Sequence, residues 1–199
     1  MRWGFLLIGF ILQGCSPPVP RDIMVFALAP AQPAQSLSVP VLLAPIGAAP
    51  AYLGKDLLYR LSYADNQLHP YGSSSWSAPP IDMFASALRQ TGGGGLLALD
   101  QSQQLARCTL RIELTSFEQV FTDAKNSHAE LGLQFSLMQL RTHRELGRSK
   151  LRFDVPAQTA DARGGAMALE KASQQAASQI VEWLNHSLAA AATRTACER

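Results

Sequence analysis

The sequence is short of charge, of cysteine and of long apolar runs, and each shortage removes a class of function. Asp, Glu, Lys and Arg make up 16% of the 199 residues, against about a quarter in an ordinary soluble domain. The net charge is +2 and the Lys and Arg are scattered, so the chain lacks the clustered basic stripe that holds nucleic acid. There are three cysteines and four widely spaced histidines, His69, His128, His143 and His186. With no Cys-x-x-Cys pair and no His-Glu-x-x-His, nothing in the spacing calls for a metal. The four glycines at 92–95 are not followed by Gly-Lys-Ser/Thr, so they read as a flexible connector and not as a phosphate loop. Gly72-Ser73-Ser74-Ser75-Trp76 lacks the second glycine of a nucleophile elbow and reads as a polar loop. Neither a catalytic residue nor a cofactor is indicated. The apolar share is 47%, which excludes a disordered chain and suits one domain with its own core.

What the chain does have is an informative start. Residues 4–12 form an apolar run behind Arg2, too short to cross a bilayer as a helix and suited to a signal peptide. The run ends in Leu12-Gln13-Gly14-Cys15, which resembles a lipobox. Cleavage before Cys15, with acylation of its thiol and of the new amino group, would give a three-chain anchor. One chain holds a bilayer only marginally, and each further buried methylene adds about 0.8 kcal/mol. The competing reading is an ordinary secretory signal with an unrelated cysteine. Ser16 stands where an Asp would retain many lipoproteins at the inner membrane, so the outer membrane is favoured. Pro17, Pro18 and Pro20 make the following stretch an extended tether. The expected organisation is a signal peptide over 1–14, a lipidated tether over 15–23, a folded domain over 24–192 and a loose tail over 193–199.

Within the domain, Met24 to Leu28 suggests an edge strand, Val39, Val41 and Leu43 alternate in a second, and Leu57, Tyr59 and Leu61 alternate in a third. Asp65-Asn66 is turn chemistry, so residues 67–71 return as the other half of a hairpin. A helix is expected from Pro79 or Pro80 to Gln90, with Ile81, Phe84 and Leu88 on one face. Three strands then alternate strongly: Cys108, Leu110, Ile112 and Leu114; Leu131, Leu133, Phe135 and Leu137; Leu151, Phe153 and Val155. Phe117 and Phe121 break the phase of the first, which calls for a bulge near Thr115-Ser116 or a bend in a long strand. The three form an antiparallel meander. A helix over about 161–192 carries Ala166, Leu169, Ala172, Ala176, Ile180, Leu184 and Leu188 in one stripe, the face that covers the meander. The fold class is α+β: a mixed, largely antiparallel sheet covered by two helices in a single domain.

Few residues stand out as sites. Cys108 and Cys197 could pair in an oxidising compartment, while the plainer alternative, slightly favoured, is a buried thiol and a free one in the tail. Tyr52, Tyr59 and Trp76 are candidates for an interface, though aromatic residues sit more often in a core.

Several pieces together resemble the auxiliary lipoproteins of ABC-type transporters, the PqiC-like family that accompanies MCE (mammalian cell entry) subunits. They are the lipobox, Phe26-x-Leu28, Val39-x-Val41, Pro50-x-Tyr52-Leu53, Leu57-Leu58-Tyr59-Arg60, Trp76-x-x-Pro79, Phe117-Glu118-Gln119, the strand from Ala129 to Leu137, Phe153 and the Ala-rich last helix. The resemblance implies a periplasm-facing lipoprotein of the outer membrane that docks an MCE-domain protein on a route for lipids or other hydrophobic molecules, with ATP hydrolysed by another subunit. It also makes a homo-oligomer plausible, since MCE assemblies are rings. Two other functions remain open at this point: a lipid-binding carrier or outer-membrane assembly factor, which needs a deep apolar cavity, and an envelope hydrolase, which needs Ser, His and Asp or a metal in one cleft.

Overall fold

The computed structural model describes residues 22–29, 36–98 and 106–198. Cys15, the signal segment and most of the tether lie outside these residues. The elements run β1 (Met24–Phe26), β2 (Val41–Leu43), β3 (Gly47–Ala48), β4 (Asp56–Leu61), β5 (Leu68–Trp76), α1 (Pro80–Gly92), β6 (Leu96–Leu97), β7 (Cys108–Phe121), β8 (Ser127–Gln139), β9 (Glu145–Pro156), α2 (Ala162–Ala189) and α3 (Ala191–Glu198).

The meander is the spine of the fold. β7 and β8 pair antiparallel from Cys108↔Gln139 to Phe121↔Ser127, and β9 extends the ladder from β8. The other edge of β7 is shared by three short parallel neighbours: β2 opposite residues 108–110, β3 opposite 113–114 and β4 opposite 119–121. β6 pairs parallel with β2. β4 continues antiparallel into β5, whose outer edge takes β1 in parallel, Met24 opposite Ser74. The result is the expected α+β class, with parallel and antiparallel pairing in one nine-stranded sheet.

One inserted residue decides which side chains enter the core. The register of β7 on β8 shifts between Leu114 and Ser116, so of the bulge and the bend that the sequence pattern allows there, the bulge is what forms. Before the shift the even-numbered Leu110, Ile112 and Leu114 are buried, and after it Phe117 takes the core position. A β-carbon on Gly132, which faces Ser116, would run into the Thr115 and Ser116 hydroxyls, so the bulge is matched by a residue without a side chain.

α2 lies on this sheet, with all seven stripe residues from Ala166 to Leu188 buried, and α1 packs against it. Small side chains bring it close: a β-carbon on Gly165 would meet the Gln119 side chain. Pro80 occupies the first turn of α1 and Asp82 faces its positive end.

Four expectations are corrected. The serine-rich segment 72–75 is strand and not loop, because β1 and Asp56 of β4 supply it with backbone partners. The glycines at 93–95 form a tight 3-10 turn in place of a flexible connector; Gly93 has φ 59, and Gly95 is pressed against Leu37. The C-terminal residues are not a loose tail: α2 stops at Ala190, whose backbone is extended, and α3 follows. Cys197 of α3 is disulfide-bonded to Cys108, Cα to Cα 5.2 Å, 89 residues apart in sequence. The bridge replaces the free thiols that were favoured, because α3 folds back and sets Cys197 beside the start of β7.

Candidate functional site

The bulge has a polar consequence on the helix-free side of the sheet. By restarting the alternation, it turns Glu118 away from the helices, directly opposite Glu130 of β8. Both carboxylates are buried, at 4% and 7% exposure. Two like charges facing one another across a strand pair repel, so they need cations. Arg60 of β4 supplies the shared one: its Nη2 donates to Glu130 Oε2 at 3.0 Å and lies 3.5 Å from Glu118 Oε1. Arg152 of β9 donates to the same Glu130 oxygen at 2.8 Å. Tyr52, in the 3-10 turn of residues 50–52, closes the cluster by donating its hydroxyl to Glu118 Oε2 at 2.8 Å, and the Phe117 N–H adds a second bond at 2.7 Å.

Burial raises the Glu118 carboxyl above its ordinary range, against the lowering pull of its hydrogen bonds from Tyr52 and Phe117. Burial, reinforced by the neighbouring Glu118 charge, likewise pushes the Tyr52 hydroxyl well above its usual range. The cluster is therefore a closed ionic clamp that ties β4, β7, β8, β9 and the 3-10 turn together. His128 and Asp154 stand beside it, with His128 Nε2 3.9 Å from Asp154 Oδ1. Together with Glu130, their ligand atoms come within 4.8 Å of one another. Two guanidinium groups already occupy Glu130, so this positive charge stands where a cation would have to bind.

On the helix side, the same end of the sheet holds a tyrosine-lined cleft of about 550 Å³. Tyr59 packs its ring 4.7 Å from Tyr71 and 5.8 Å from Phe121. Tyr71 reaches inward to donate to Gln119 Oε1 at 2.7 Å, and burial raises its hydroxyl above the ordinary range. Met24 of β1 and Tyr63 of the β4–β5 turn line the rim, and the start of α2 forms the far wall. That start is already satisfied: the Asp161 carboxylate accepts from the Gly164 N–H at 2.8 Å. This bond holds the Asp161 carboxyl below its usual range. A second, shallow groove of about 390 Å³ on the helix-free face lies between Arg111, Glu113 and Arg148.

The three aromatic candidates thus separate. Trp76 is core, at 1% exposure against Phe26 and Phe117. Tyr52 belongs to the clamp, and Tyr59 forms the floor of the cleft. Glu118, Glu130, Arg60 and Arg152 were missed as a group because no motif joins them. The signal was present once the meander was paired, since the register itself sets Glu118 against Glu130.

The space between sheet and helices is filled by side chains, Trp76, Phe84, Phe117, Leu57 and Ile180 among them, each under 2% exposed. No described helix is long and apolar enough to cross a membrane.

Comparison of sequences matches residues 26–181 to a family described as the ABC-type transport auxiliary lipoprotein component. No curated protein matches the chain. Among solved structures, a Xanthomonas campestris protein superposes with a TM-score of 0.72 at 19% identity, over 82% of this chain and 95% of its own. An uncharacterised protein superposes with a TM-score of 0.64 at 12% identity, over 82% of this chain and 99% of its own. At these identities the likeness is one of fold.

Proposed function

We propose a function from one premise: the chain belongs to the family of ABC-type transport auxiliary lipoprotein components. It is an accessory subunit that works by docking, anchored to the outer membrane through acylated Cys15 with its domain in the periplasm. Its partner is an MCE-domain protein of a transport complex for lipids or other hydrophobic molecules, and copies of the chain assemble around that partner.

The observation that carries docking over carriage is the filled interior. A carrier needs an enclosed apolar space for its cargo, whereas here α2 lies directly on the meander and the clefts open at the surface. The helix-free face and the outer edge of β9 suit a partner. There the exposed Arg111, Arg148, Lys150 and Arg152 stand against Glu113, Glu145 and Asp154, an excess of one cation, so a mildly acidic partner surface is favoured. Charged side chains along β9 also guard this edge against indiscriminate strand pairing.

The test is fractionation of the Cys15→Ala variant expressed at native level. The expected result is a protein released to the soluble periplasm and an envelope with an impaired barrier. Retention in the membrane fraction would contradict the anchor, and an intact barrier with the protein released would contradict the role.

A further inference from the structure

We infer that the end of the sheet carrying the β4–β5 turn rests on the bilayer, with Met24, Tyr63 and Leu68 dipping into the interface of a zwitterionic phospholipid surface. The inference rests on the Cys15 anchor proposed above and deepens it.

The direction of the chain carries the first part. β1 runs parallel to β5 with Met24 opposite Ser74, so whatever precedes Met24 arrives from the side of Leu68 and the turn, not from the side of Trp76. From Asp22 back to Cys15 is seven residues, a leash of at most about 25 Å fully extended. A domain of this size has a radius of gyration near ~15 Å and is therefore about 40 Å across. The leash is shorter than the domain, so the start of β1 is held near the lipid.

Exposed apolar groups carry the second part. The described surface exposes seven large hydrophobic residues, and five of them, Ile23, Met24, Val25, Tyr63 and Leu68, lie on or just before β1 or at the β4–β5 hairpin. Met24 at 42% and Tyr63 at 53% exposure share the rim of the tyrosine cleft. An apolar body with a phenolic tip is suited to the level of lipid headgroups. The charged groups at this end, Asp22, Asp65, Asp123, Lys125, Asp161 and Arg163, sum to net negative, so attraction to anionic lipid does not drive the contact and apolar burial does.

The experiment uses the full lipidated chain on phosphatidylcholine vesicles, with an environment-sensitive fluorophore on Tyr63→Cys or, before the start of β4 and away from the turn, on Leu53→Cys. The Cys108–Cys197 bridge and acylated Cys15 leave the introduced thiol as the one to be labelled. Spin-labelled lipid is expected to quench the probe at 63 several-fold more than the probe at 53, with little change between low and high salt. Equal quenching at both positions on floated vesicles overturns the inference and leaves the anchor standing. A probe at 63 that stays wet on vesicles but is shielded in native envelopes also overturns it, and assigns the patch to a protein. Protein that fails to float with vesicles at all refutes the anchor, and the inference falls with it.

Discussion

Tyr52 and Glu118, 66 residues apart in sequence, meet hydroxyl to carboxylate at 2.8 Å beneath the helix-free face. The contact pins a 3-10 turn onto the longest strand of the sheet. It also makes one carboxylate of a facing pair an acceptor for a neutral donor, which leaves Arg60 free to serve mainly Glu130.

Removing the shared cation should expose the cost of the facing carboxylates. Arg60→Leu is expected to lose about 2–4 kcal/mol, less than a fully buried pair would, because Arg152 still holds Glu130 and Arg60 is partly in water. Adding Glu118→Gln to that variant should restore part of the loss. Urea midpoints for the wild type, both single variants and the double variant measure the coupling, and strict additivity would show that the clamp does not act as a unit.

The same carboxylate sets a pH dependence. Burial raises Glu118, so in the pH range just above the ordinary Glu value of about 4.3 the folded protein keeps a proton that the unfolded chain has released. The stability it contributes is present below that value and is lost as pH rises through the folded pKa. Asp161, with its carboxyl lowered, works in the opposite sense, losing its contribution as pH falls. In Glu118→Gln the first term vanishes. The stability of the wild type relative to this variant should therefore decline as pH rises through mild acid, measured as the difference of two melting curves taken at each pH.

The bridge from Cys108 to Cys197 closes a loop of 89 residues. Replacing both cysteines by Ala should cost about 2–5 kcal/mol. Dithiothreitol should lower the melting temperature of the wild type and leave the double variant unchanged. Hydrogen exchange should show α3 opening first, since its other side-chain tie to the sheet is the bond from Gln139 to the Ala196 carbonyl.

The start of α2 offers a local test beside the cleft. A β-carbon at Gly164 would strike the Thr159 carbonyl, so Gly164→Ala should cost about 1–3 kcal/mol by forcing the turn apart. Asp161→Ala removes the cap and the bond from the Thr159 hydroxyl without crowding the turn, and should cost about 1 kcal/mol. Thermal melts with circular dichroism separate the two, and equal effects would mean that the close approach at Gly164 is not tight.

How much of this was legible in the sequence depends on the range of each interaction. The meander, the slip at Thr115-Ser116 and the apolar stripe of α2 were readable because periods of 2 and of 3.6 act over neighbouring residues. The parallel seats of β2, β3 and β4 along β7 were not, since nothing local to Val41 or Tyr59 names a strand about 60 residues later. Ser73 to Ser75 read as loop on composition, and β1 and β4 overrode that by offering their backbone groups partners. Cys197 read as part of a tail because α3 is short and weakly apolar, and its place is fixed by a bond rather than by a pattern. The family was legible through order along the chain, many weak pieces falling in one sequence, even though the polar clamp that four of those pieces contribute to was not.

Counting, more than chemistry, governs β7. Inserting one uncharged residue between Ser116 and Phe117 would change no charge and remove no core side chain, yet it would rotate every residue from Phe117 to Phe121 by half a turn. Phe117 would then take the place of Glu118 between Tyr52 and Arg60, and Glu118 would be driven under α2 against Gly165. This strand therefore tolerates exchange of letters better than a change in their number, and natural variation in length should be confined to the turns at either end of it.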